Sequence, residues 1–160
     1  MKIAIVVAAV LVAAWAAVLA IRPDLVRPAL AVKSDIYGLA PGMTLEEANK
    51  LIAQRKYRCR QVQDSPVVDC NIDGNRVSIA LDGADDKRTV RRITAEMGAD
   101  RSPEATVRAL SEQYNAQASK GPNGNWVWPI GSRFKLSYDG AAVTLFDEQA
   151  GNPRRPQDAR

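Results

Sequence analysis

The chain contains no histidine, and only two cysteines and two phenylalanines in 160 residues. Without histidine, Ser-His and Cys-His nucleophile pairs and histidine-bound metals are excluded, which leaves carboxylate, lysine or serine-lysine chemistry. Those options are thin. Glu46-Glu47 and Asp85-Asp86 are sequence neighbours, which diverge by about 100° on a helix and point to opposite faces of a strand, so neither makes a facing acid/base pair. Ser119-Lys120 stands without a supporting motif. Asp69, Asn71, Asp73 and Gly74 copy the start of a calcium loop, but Ala80 holds the place of its bidentate glutamate. The expectation is a chain that is not an enzyme and has no cofactor and no metal site.

Charge of one sign is also scarce. Of 22 basic and 18 acidic residues, Lys2, Arg22, Arg27 and Asp24 precede Val32, which leaves 19 basic and 17 acidic in the rest. Nucleic-acid binding needs a concentrated basic face. The only candidates are Arg55, Lys56, Arg58 and Arg60, and then Lys87, Arg88, Arg91 and Arg92. Both groups read as solvated surface, and no nucleic-acid partner is expected.

What the chain does have is an unbroken apolar run from Ile3 to Ile21, introduced by Lys2 and closed by Arg22-Pro23-Asp24. As a helix it reaches roughly 28 Å, enough to cross a bilayer once. It is longer than the usual core of a signal peptide, and no polar or helix-breaking residue separates the apolar run from the small-residue site Val18-Leu19-Ala20. An uncleaved anchor is therefore expected over 1–21, the alternative being a secreted form beginning at Ile21. Arg22, Arg27 and Lys33 after the run argue mildly for a cytoplasmic body. The cysteines argue more strongly the other way.

Cys59 and Cys70 bracket a segment centred on Gln63-Asp64-Ser65-Pro66. Folded as a hairpin, it sets the two sulfurs opposite each other and Val62 opposite Val67. A disulfide there closes a loop of about 12 residues and is worth up to about 3 kcal/mol in the chain-entropy model. Such bonds persist in oxidising compartments, which places the body in the periplasm, on the outer side of the inner membrane. The competing reading is two unrelated buried thiols.

The body reads as one α+β domain over 36–147, with a linker over 22–35 and a polar tail over 148–160 that has the composition of a disordered segment. Thr44 and Glu47 form a capping box, with Met43 set to staple onto Ala48, and the helix they open carries Ala48, Leu51 and Ile52 on one side up to Arg55. Strands follow over 57–62, 67–72, 76–81 and 89–97, with a tight turn at Asp73-Gly74. Val77, Ile79 and Leu81 alternate with Arg76, Ser78 and Ala80, so one sheet face is buried and the other is wet. Ser102 and Pro103 open a second helix, with Val107, Leu110 and Tyr114 inward and Gly121-Pro122 as its expected end. Two or three strands complete the domain, carrying Trp126 and Trp128, then Phe134, Leu136 and Tyr138, then Val143 and Leu145. The sum is an N-terminal transmembrane helix followed by two helices packed on an antiparallel sheet, without an obvious internal repeat.

The stretch from Ile36 to Ile52, with Gly38, Pro41-Gly42-Met43-Thr44 and Glu47, resembles the helix start of the SmpA/BamE-like envelope proteins, which are related in fold to β-lactamase-inhibitor-type domains. The match covers about a seventh of the chain. The resemblance implies a small helix pair on an antiparallel sheet and a role in binding other envelope proteins. This chain departs from that family in having an apolar anchor where the BamE proteins carry a lipidated cysteine. The function expected is a membrane-anchored, extracytoplasmic, non-enzymatic domain that binds an unidentified envelope protein. The alternative is a cell-wall or small-ligand module in which Trp126 and Trp128, on one strand face, form a stacking platform. Core filling competes with that use of the tryptophans.

Overall fold

The structure, a computed structural model, describes residues 32–62, 65–84, 87–98 and 102–149. The expected anchor over 1–21, the turn residues Gln63 and Asp64, the Asp85-Asp86 pair and nearly all of the tail lie outside the described residues. Among the described residues no helix is long and apolar enough to cross a membrane.

Helix α1 (Leu45–Arg55) is followed by β1 (Arg58–Gln61), β2 (Val67–Ile72), β3 (Asn75–Asp82) and β4 (Thr89–Glu96). Helix α2 (Pro103–Tyr114) is followed by β5 (Ser119–Lys120), β6 (Trp126–Ile130), β7 (Phe134–Tyr138) and β8 (Ala142–Asp147). All eight strands form one antiparallel sheet in the order β1-β2-β3-β4-β8-β7-β6-β5. The order is palindromic: two successive units of one helix and four strands meet at their fourth strands. The seam pairs Ile93 with Leu145 and Thr94 with Thr144.

The helices show the same duplication at residue level. Counted from the N-caps Thr44 and Ser102, each has a glutamate at the second following position (Glu46, Glu104) and a small buried residue at the fourth (Ala48, Thr106). Each also has a branched apolar residue at the eighth (Ile52, Leu110). Both helices end on a left-handed residue, Lys56 or Asn115. The repeat escapes a search for identity because it is conserved in role rather than in residue type.

The α1 start follows from its capping box. Glu47 N–H donates to Thr44 Oγ1 at 3.2 Å, and Thr44 N–H donates to the Glu47 carboxylate at 2.8 Å. The Thr44 N–H, together with the Thr44 hydroxyl, which donates to the same carboxylate at 3.0 Å, holds the Glu47 carboxyl below its ordinary range. A lowered folded value means that the contribution is present at neutral pH and is lost as pH falls through that value. Just before the helix, Gly42 sits at φ +91°, a conformation that a Cβ disfavours. Its N–H donates to Val90 O at 2.7 Å, while Val90 N–H donates to Met43 O at 2.7 Å. The Pro41-Gly42-Met43-Thr44 segment therefore pairs with the start of β4, beyond the point where β8, whose pairing runs from Arg92 to Glu96, reaches. Thr44→Ala is expected to cost about 1 kcal/mol, and Ser102→Ala about the same, in urea melts. Leu51 is only half-buried, so Leu51→Ala falls to about 1–2 kcal/mol rather than the larger loss that its spacing suggests.

Two expectations are corrected. Helix α2 stops at Tyr114, not near Gly121, because Asn115 adopts φ +47° and its N–H turns back to the Ser111 and Glu112 carbonyls. Asparagine tolerates that conformation with a small penalty. The second unit also has four strands rather than two or three, since the two-residue β5 is too short to leave a periodic signal.

One continuous core lies between the helices and one face of the sheet. It includes Leu39, Ile79, Ile93, Leu136 and Leu145, each at 0–1% exposure, and Trp128 at 0%. Cys59 and Cys70 are directly opposed on β1 and β2 and joined as a disulfide, as the hairpin symmetry led us to expect.

Candidate functional site

Alternation assigns every sheet side chain to one of two faces. The helix-side face holds the buried residues. Among the described residues nothing covers the other face, and the strand registers write out its surface. One row runs Val67, Ala80, Arg92, Phe146, Lys135 and Pro129, from β2 to β6. The adjacent row runs Asp69, Ser78, Thr94, Thr144, Ser137 and Val127. A depression of about 840 Å³ lies over the middle strands of this face, bordered by Val67, Ala80, Ser137, Thr144 and Phe146.

The two rows differ chemically. The second is a ladder of short polar side chains in two bonded pairs: Ser78 donates to the Asp69 carboxylate at 2.6 Å, and the Thr94 and Thr144 hydroxyls are 3.2 Å apart. The first mixes apolar side chains with cations. Short side chains across four central strands keep this surface low and open, a shape suited to another macromolecule rather than to an enclosed small ligand.

A second recess, about 660 Å³, lies on the helix side over Ala95 and Val143. Its aromatic rim is already engaged by the chain's own segment. Tyr114 OH donates to Asp35 O at 2.8 Å, Tyr57 OH donates to Tyr37 O at 3.1 Å, and Asn75 donates to Tyr37 OH at 2.9 Å. Burial pushes the Tyr114 hydroxyl well above the ordinary tyrosine range, so it stays a neutral donor. Together with buried Ile36 and Leu39, these bonds fasten the segment preceding α1 to the domain. They engage the hydroxyls of all three tyrosines that line the recess.

Trp126 and Trp128 do share a strand face, but it is the helix-side face. Trp128 is fully buried, and its Nε1 donates to Ser111 Oγ on α2 at 2.9 Å. It presents no ring to a ligand, and as a member of a stacking platform it is corrected to a core residue. Trp126 is half-buried against the core, with Lys120 Nζ 3.9 Å from its ring centroid. That lysine also donates to Gly124 O at 3.0 Å, while the Ser119 hydroxyl turns to Val127 O. Ser119 and Lys120 are thus each engaged elsewhere. Asp69, Asn71 and Asp73 run along β2 into its turn, and no cluster of potential metal ligands occurs among the described residues.

The uncovered face was foreseeable in kind from the β3 alternation; its chief basic feature was not. Regular alternation after buried Val90 would send Arg91 outward and Arg92 into the core. Instead the register moves from Ala80↔Arg92 to Leu81↔Val90, leaving Arg91 as an extra residue in a β-bulge. Both arginines are exposed, while Val90 and Ile93 are both buried. The sequence signal was present: two adjacent arginines between two apolar residues in a strand fit no two-residue period. Compared with protein-family models, with curated proteins and with solved structures, the chain matches none.

Proposed function

We propose that this chain is a membrane-anchored, extracytoplasmic, non-enzymatic domain that binds another protein of the cell envelope through the uncovered face of its sheet. The observation that carries the proposal is the one-sided sheet itself. One face of the eight-stranded sheet packs against both helices, and among the described residues the other is left open, around a depression of about 840 Å³. A face of mixed apolar and polar character resembles the composition of non-obligate protein interfaces. The apolar run over 3–21 supports the anchor, and the Cys59–Cys70 bond supports an oxidising compartment.

The test is a photo-crosslinking amino acid placed at Ser137 on the open face or at Lys50 on the outer side of α1, in native membranes. Discrete adducts from Ser137 and none from Lys50 are expected. Adducts from Lys50 alone would overturn the assignment of the face. A C-terminal tag that resists protease added outside the inner membrane would overturn the export.

A further inference from the structure

We propose that the protein bound on this face presents a carboxylate-rich segment, gripped by Arg91 and Arg92 beside Phe146. The proposal rests on the open face being the binding face, and deepens it by naming the chemistry of the partner.

It follows from which charges on this face are already answered. Arg133 donates to Asp147 at 2.7 Å, Lys135 is paired with Glu148, and Arg76 lies 3.8 Å from Glu96. Each of these three cations thus has a carboxylate of its own. Arg91 and Arg92 line the depression, are exposed, and have no ion-pair or hydrogen-bond partner among the described residues. Both carboxylates that also border the depression, Asp147 and Glu148, are the ones already paired. The uncompensated charge in the depression is therefore positive.

The bulge concentrates that charge. An ordinary strand would place only one of two adjacent arginines on this face; the extra residue keeps both out of the core, and bulges commonly serve to re-aim a side chain. Guanidinium forks match carboxylates in geometry. Phe146, directly opposite Arg92 across the seam, and Val67 and Ala80 on its other side supply apolar contact at the same place. Interfaces draw much of their binding energy from such arginine and aromatic anchors. The chain's own tail is the wrong occupant, since residues 150–160 carry Arg154, Arg155 and Arg160 against Asp158 alone.

The experiment uses the full chain in nanodiscs of neutral phosphatidylcholine and a dye-labelled peptide of alternating glutamate and tyrosine, about ten residues long, read by fluorescence anisotropy. Peptides with glutamine or lysine in place of glutamate are the comparisons. The glutamate peptide is expected to bind at least about tenfold more tightly than either, and to weaken as salt rises. Arg91→Gln with Arg92→Gln is expected to lose about tenfold in affinity with an unchanged thermal midpoint, while Arg58→Gln with Arg60→Gln on the edge strand changes it by less than about twofold. Equal losses in the two double variants, or no preference for glutamate, would overturn the proposal. So would displacement of the peptide by phosphatidylglycerol vesicles acting through Arg91 and Arg92, which would assign the site to lipid. If sheet-face crosslinks persist while the peptide fails to bind, the partner's chemistry is wrong and the binding face stands.

Discussion

Trp128→Ala is expected to lower stability by about 3–5 kcal/mol, the largest effect of any single substitution considered. The side chain is completely buried, so its removal takes away both a large apolar area and the atoms that fill the space between β6 and α2. It also strips the Ser111 hydroxyl of its donor, an indole N–H at 2.9 Å, and with it a bond that ties the second helix to the sheet. Against a typical total of about 5–15 kcal/mol, the loss brings the domain close to unfolding at ordinary temperature. Trp126→Ala, at a half-buried position, is expected to cost roughly half as much or less. Urea melts of the two variants give the comparison, with the difference appearing in the midpoint rather than in the slope. Equal, small losses would mean that neither ring is a core element and would return the pair to the role of a surface platform.

The second large effect concerns the disulfide. Replacing Cys59 and Cys70 together by serine is expected to cost about 3 kcal/mol, from the chain entropy of a loop of about 12 residues. The effect is directional as well as large. β1 is an edge strand of four residues that pairs only with β2, so the covalent bond is the main restraint on its fraying. Hydrogen exchange is expected to rise first in 58–61 and last in β3, β4 and β8, whose residues form the centre of the sheet. Free-thiol labelling of the native chain without reductant would contradict the bond, and with it the strongest physical reason for placing the domain in an oxidising compartment.

The parts of the fold that were legible are those fixed by local chemistry. The Thr44–Glu47 capping box, the Ser102-Pro103 start, the Asp73-Gly74 turn and the Val77-Ile79-Leu81 alternation each act over a few residues, and each stands where the sequence placed it. The less legible parts depend on distance or on exceptions. The seam between β4 and β8 joins Thr94 to Thr144 across 50 positions, and nothing in either strand names the other. The end of α2 depends on one asparagine entering the left-handed region, a choice that a glycine further on seemed better suited to make. The bulge at Arg91 breaks the period on which strand reading relies.

The site was legible only in outline for the same reason. Alternation in β3 shows that one face is wet, but which face both helices cover depends on how two units join. Arg91 and Arg92 read as ordinary solvated charge until the register shows both bordering the depression, with Arg92 opposite Phe146 across the seam. The tryptophans had the opposite history: their shared face was evident, and its inward orientation became clear only from the order of β5 to β8 and the bond to Ser111.

The measurement that bears most directly on the uncovered sheet as a binding face is cysteine protection in native membranes. Single cysteines at Ala80 and Ser137 on the open face, and at Glu46 and Arg108 on the outer sides of the helices, are labelled with a maleimide in native membranes and again in the purified chain. The open-face positions are expected to label several-fold more slowly in membranes than after purification, while the helix positions label equally in both. Equal labelling at Ala80 and Ser137 in the two states, or protection confined to Glu46 and Arg108, would contradict a partner bound to the sheet.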